Sequence, residues 1–141
     1  AMWRGRKVAF GALGRLKPNL YVQDAVVPRS KLAEVLVRLV AIAEEHQVLL
    51  TNVFHAGDGN LHPLIMYDGR VEGAFEAAEA CAADIVRMCI RIGGSITGEH
   101  GIGLEKRAYL SHSRSPEEIA LMKTLKSALD PKNILNPGKV L

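Results

Sequence analysis

Apolar residues recur at two periods along this chain, and the changes between them mark its elements. Residues 20–27 read as a strand ended by Pro28. Ser30 then caps a helix in which Leu32, Val35, Leu36, Leu39, Val40 and Ala43 share one side as far as His46. Residues 48–56 and 61–67 return to strand character, and an alanine-rich helix over 71–92 stops at Gly93-Gly94. Residues 95–97 form a short strand entering a glycine-rich loop. The order from 20 to 97 is therefore β-α-β-β-α-β. That predicts an α+β fold of the ferredoxin-like, split βαβ kind, an antiparallel sheet with helices on one face. The other face is left free to meet a ligand or a second domain. Outside this unit, residues 3–14 suit a short helix. Ser115-Pro116-Glu117-Glu118 is a capping box opening a C-terminal helical segment with Ile119, Met122, Leu125 and Leu129 on one side.

The two central strands meet around VFHAGDGNLH, residues 53–62, where two histidines bracket a turn. A two-residue turn centred on Asp58-Gly59 is the preferred type I′ sequence. In that register His55 stands directly opposite His62, with Cβ atoms about 4.5–5.5 Å apart. Two imidazoles so placed can reach one divalent cation through metal–nitrogen bonds of about 2.0–2.1 Å. A third ligand is needed, and GGSITGEHGIG offers Glu99 and His100 at the end of the last strand. On an ideal strand these two point to opposite faces. The glycines at 98, 101 and 103 relax that restriction and let both line one pocket. The competing reading makes Glu99 a solvent carboxylate and His100 a loop histidine.

Composition changes this picture little. Of 141 residues, 48% are hydrophobic and 23% charged, the balance of a globular domain that needs no disulfide. Cys81 and Cys89 lie within one helix, which argues against a bridge and suits a reducing compartment. No apolar run reaches the roughly 18 residues of a spanning helix, and no signal peptide is visible. The net charge of +3 is local: Arg4, Arg6, Lys7, Arg15 and Lys17 precede any acid. A solvated helix face, a small-anion site and a membrane-surface contact all fit that cluster. Nucleic acid does not, because no aromatic–basic interleaving accompanies the charge.

Three segments, VFHAGDGNLHP, GGSITGEHGIGLEKR and LDPKNILNPGKVL, resemble in order and spacing the C-terminal domain of FAD-linked oxidases of the vanillyl-alcohol-oxidase superfamily. That group includes the glycolate oxidase FAD-linked subunit and D-lactate dehydrogenases, which look nearest. The resemblance starts at WRGRK and covers nearly the whole chain. It implies a divalent metal ion, zinc being one candidate, held by His55, His62 and Glu99, with His100 as the catalytic base. It implies that Arg6 binds the substrate carboxylate, and that Asn136 and, less directly, Asn60 approach the flavin. The FAD itself would be bound mainly by an N-terminal FAD-binding domain of the same parent chain. No glycine-rich dinucleotide fingerprint occurs here, so the sequence reads as the C-terminal substrate and metal portion, residues 1–141, of a longer enzyme.

The chemistry agrees with the residue types. Oxidation of a 2-hydroxy acid removes a hydroxyl proton and transfers the α-hydrogen as hydride. A cation lowers the hydroxyl pKa, a histidine accepts the proton, and an arginine clamps the carboxylate. One position departs from hydroxyglutarate-type relatives: two residues after the second histidine stands Leu64, where they have an asparagine. An apolar group there favours a small 2-hydroxy monocarboxylate such as glycolate or lactate. The isolated chain is expected to be inactive and to self-associate through its uncovered sheet face. The expected setting is cytoplasmic, with attachment at the inner face of a membrane only through partner oxidase subunits, an iron–sulfur subunit among them. Two other readings stay open: a stand-alone metal hydrolase using the same His2Glu set, and a non-catalytic metal- or ligand-binding module.

Overall fold

A computed structural model describes residues 8, 9 and 11–141. Four strands and two long helices build the domain: β1 Asn19–Val22, β2 Ala25–Val26, α1 Leu32–Glu45, β3 Leu49–His55, β4 Asn60–Tyr67 and α2 Ala74–Arg91. A short α3, Leu110–Ser113, and a longer α4, Pro116–Leu129, follow. Residues 8, 9 and 11–13 are helical and Gly14 is already in a turn, while positions 3–7 and 10 of the expected N-terminal helix lie outside the described residues.

The sheet is antiparallel, with β4 at its centre. Strand β3 runs along one edge of β4, and β1 and β2 share the other. Ser95 then bridges to Val26 on the outer side of β2. Across the sheet the order is therefore Ser95, β1/β2, β4, β3, the ferredoxin-like arrangement. The fourth strand is cut to this one bridge, because residues after Ile96 turn away over the sheet. The strand expected over 20–27 is also broken, at Gln23-Asp24. Its register is not: Val22 pairs with Leu64 and Ala25 with Leu61. The unchanged offset sets Asp24 opposite His62, and the Gln23 N–H donates to the Pro63 carbonyl at 2.9 Å.

Helices α1 and α2 cover one face. Val35 and Leu39 from α1 meet Ala78, Ile85 and Met88 from α2 over Leu61 and Ile65 of β4. A leucine or isoleucine truncated here costs about 2–5 kcal/mol, since such a site refills only partly. The ends of α1 differ from expectation. Ser30 belongs to a 3-10 turn, Arg29–Lys31, and makes no side-chain cap bond. The expected capping box of α4 is present, with Glu118 N–H donating to Ser115 Oγ at 3.2 Å and Ser115 N–H to Glu118 Oε2 at 2.7 Å. Both cysteines are free and buried, and burial pushes Cys89 up to about 12 and Cys81 to about 11. Neither is a ready nucleophile.

The second face is not left open along β4. His62, Leu64 and Met66 alternate onto it and are all buried. What covers His62 is the glycine-rich loop, whose His100 ring stacks on it at 5.0 Å between centroids.

The hairpin register also corrects an expectation. His55 pairs with Asn60, and His62 with Val53. A four-residue loop, 56–59, replaces the two-residue turn, with the His55 carbonyl accepting from the N–H groups of Asp58 and Gly59. The reason is an outside contact. The Gly59 carbonyl accepts from Val27 N–H at 2.9 Å, and a Cβ at Gly59, whose φ is +73°, would fall 2.2 Å from the Val27 oxygen. The tip is docked onto the end of β2, which the hairpin alone does not encode. Because the slip is even, both histidines keep the same sheet face.

Candidate metal and proton-transfer site

Along the covered face of the sheet, two rows of cross-strand neighbours carry the polar groups. One row is Asp24, His62 and Val53; the next is Val26, Asn60 and His55. The histidines are thus diagonal neighbours, with ring centroids 5.5 Å apart and planes at 88°. Glu99 reaches in from the loop above. Its Oε1 lies 3.6 Å from His55 Nε2 and its Oε2 lies 3.3 Å from His62 Nε2. One ligand atom from each of His55, His62 and Glu99 falls within 4.8 Å of the others. Two imidazole nitrogens and a carboxylate oxygen suit a divalent cation of zinc type, and three protein ligands leave a position for another group. His62 is buried while Glu99 is exposed, so the cluster opens toward solvent on one side.

The loop that delivers Glu99 and His100 has no strand ladder to hold it. A single carboxylate does so instead. Asp24 is 1% exposed, and its Oδ2 accepts from Thr97 Oγ1 at 2.7 Å and from the backbone N–H groups of Gly98, Glu99 and His100 at 2.8, 3.0 and 3.0 Å. Burial opposes its ionisation, yet these four donors together hold its pKa well below the usual carboxylate range. Gly98 lets the loop press onto the sheet, for a Cβ there would lie 2.7 Å from Val26 Cγ2 and 2.8 Å from Asn60. Lys106 closes the far side. It is buried, and its Nζ donates to the Asp24 carbonyl. Burial lowers its pKa, against the pull of the Asp24 charge.

The other expected site residues fall as follows. Asn60 is buried under Gly98, with its Oδ1 lacking a partner. Asn136 is exposed in a turn at φ +47°. Its segment is tied to the glycine loop by Val140 N–H to the Gly103 carbonyl at 2.9 Å and by Arg107 Nη1 to the Gly138 carbonyl at 3.2 Å. Arg6 lies outside the described residues. Leu64 is fully buried and does not line the open hollow of about 390 Å³ beside His100, whose walls include Ile102, Leu104, Lys106 and Lys139. Reading by motif missed Asp24 and Lys106. The available signal was a lone acid interrupting an apolar strand, LYVQDAVV.

Residues 1–140 match the family described as "FAD linked oxidases, C-terminal domain", and the chain belongs to that family. It is 44% identical over 137 residues to the glycolate oxidase subunit GlcD of Escherichia coli K12, covering 97% of this chain and 28% of that protein. It is 44% identical over 140 residues to the Bacillus subtilis GlcD subunit, covering 99% and 30%. With the D-lactate dehydrogenase of Archaeoglobus fulgidus it shares 42% over 130 residues, covering 91% and 28%. The chain thus spans under a third of the length of these relatives.

Proposed function

We propose that this chain supplies the substrate and cation half of the active site of an FAD-dependent oxidase acting on a short 2-hydroxy monocarboxylate, of glycolate or D-lactate type. The observation that carries the reading is the meeting of His55 Nε2, His62 Nε2 and the Glu99 carboxylate, with His100 stacked alongside. Relatives named for glycolate oxidation and D-lactate dehydrogenation support the substrate class.

In this proposal His55, His62 and Glu99 are the ligands of a divalent cation. With cation and flavin bound, the chemistry supplied is polarisation of the substrate hydroxyl and acceptance of the α-hydrogen with its two electrons. His100 takes the hydroxyl proton, so the 2-hydroxy acid leaves as the 2-oxo acid. Arg6 pairs with the carboxylate, and the hollow beside His100 carries Lys139 and Glu105 on its walls, with Lys106 held on the Asp24 carbonyl. Asn136 is the asparagine with free access to a flavin edge. Flavin is held chiefly by the remainder of the parent chain, and electrons leave through further subunits, an iron–sulfur subunit among them.

The test uses the full-length parent. Glu99→Gln removes the ligand charge, so bound metal and turnover fall together. His100→Asn leaves metal content unchanged and lowers kcat by about 10²–10⁴-fold, the usual contribution of a positioned acid–base group. Metal analysis beside kinetics separates the roles. If neither substitution alters turnover, the catalytic reading is lost.

A further inference from the structure

Among the buried side-chain atoms of the site that have no hydrogen-bond partner among the described residues, two face each other. They are Asp24 Oδ1 and His62 Nδ1, 3.8 Å apart. The pair stands on directly opposed strand positions, Asp24 being 1% and His62 7% exposed. Asp24 Oδ2 is used by the loop, while Oδ1 has no hydrogen-bond partner among the described residues and faces His62. The gap is about 0.6 Å beyond the roughly 3.2 Å limit of an N–H···O bond, so the two atoms face each other without a formed hydrogen bond. On the other side of that ring, Nε2 lies 3.3 Å from Glu99 Oε2.

We infer that Asp24 is a positioning residue with two duties, one for each oxygen. Oδ2 shapes the loop that carries Glu99 and His100. Oδ1 serves as the acceptor for His62 Nδ1–H and so favours the tautomer whose Nε2 lone pair serves a cation shared with Glu99 and His55; without a cation the Glu99 carboxylate competes for that proton. A carboxylate behind a ligating histidine sets ring orientation and raises ligand basicity, and losing it typically costs about 10–100-fold in metal affinity. The use of that lone pair by a cation rests on the proposed function above; the tautomer itself does not.

Asparagine at position 24 cannot satisfy both sides. With its oxygen on the loop amides, its Nδ2 donates toward His62 Nδ1, which must then accept and carry its proton on Nε2. The experiment uses the full-length parent carrying Glu99→Ala, because the Glu99 carboxylate 3.3 Å from Nε2 otherwise competes for the same proton. The protein is labelled with 15N-histidine, metal-free and at pH 8, with the added His62→Gln spectrum assigning the signal. Long-range proton–nitrogen correlations distinguish the tautomers. In that background His62 is expected as Nδ1–H, and adding Asp24→Asn switches it to Nε2–H. Asp24→Asn alone lowers zinc affinity, measured by competition with a chromogenic chelator, by about 10–100-fold. An Nε2–H tautomer in the Glu99→Ala background overturns the assignment even if the Asp24 variant fails to fold. So do a tautomer and a zinc affinity that Asp24→Asn leaves unchanged. An Nδ1–H tautomer in that background, with a wild-type protein that takes up no zinc, supports the role of Asp24 and removes the cation reading instead.

Discussion

His55 and His62 stand on β3 and β4, two strands paired without interruption from Leu49↔Met66 to His55↔Asn60. Glu99 and His100 stand on backbone whose last sheet contact is the bridge from Ser95 to Val26. The first pair is placed by a ladder of many small bonds, each supported by its neighbours. The second is placed by one buried carboxylate that gathers four donors. Loss of any single ladder bond is shared, whereas loss of Asp24 releases the whole loop at once. Half of this site therefore inherits the stability of the sheet, and half has a local stability of its own.

The largest effect is expected from Asp24→Ala. It removes the shared acceptor of four part-buried donors, and two of them left unpaired at roughly 1–3 kcal/mol each cost about 2–6 kcal/mol in total. Hydrogen exchange in the full-length parent should then speed up at Gly98, Glu99 and His100 while the β3–β4 ladder stays protected. Equal acceleration in both regions would break the comparison. Acid separates the halves as well. The folded pKa of Asp24 is depressed, so its contribution is complete above the unfolded value of about 3.9 and is lost as pH falls toward the folded value. Stability measured below pH 4 should decline less steeply in Asp24→Asn than in the wild type.

Gly59→Ala attacks the other half. The new Cβ meets the Val27 carbonyl in a left-handed backbone conformation, a cost of roughly 2–4 kcal/mol. Exchange should rise at Asp58 and Gly59 before it rises at the loop amides. The smallest effect belongs to Ser115→Ala, which removes the α4 cap for about 1 kcal/mol. Zinc affinity should not change with it, because α4 has no described contact with the ligand cluster. A measurable loss of affinity would show that the C-terminal helix and the site are coupled.

Much of the fold was legible in the chain itself, because period and capping are local properties. The 3.6-residue spacing of Leu32, Val35 and Leu39 gave α1, and Ser115 with Glu118 gave the start of α4. Parity also survived: His55 and His62 share a face under the observed register as under the expected one, since the slip was even. Candidate ligands were legible as residue types in a motif.

What tertiary structure alone decided lies in contacts between distant segments. The hairpin register follows from Gly59 meeting Val27, more than thirty residues earlier in the chain. The posture of Glu99 and His100 follows from Asp24, 75 and 76 positions away. No local pattern encodes such pairings. A buried carboxylate stays ionised only where enough donors converge on it, and that convergence exists only once the sheet has brought β2, β4 and the loop together.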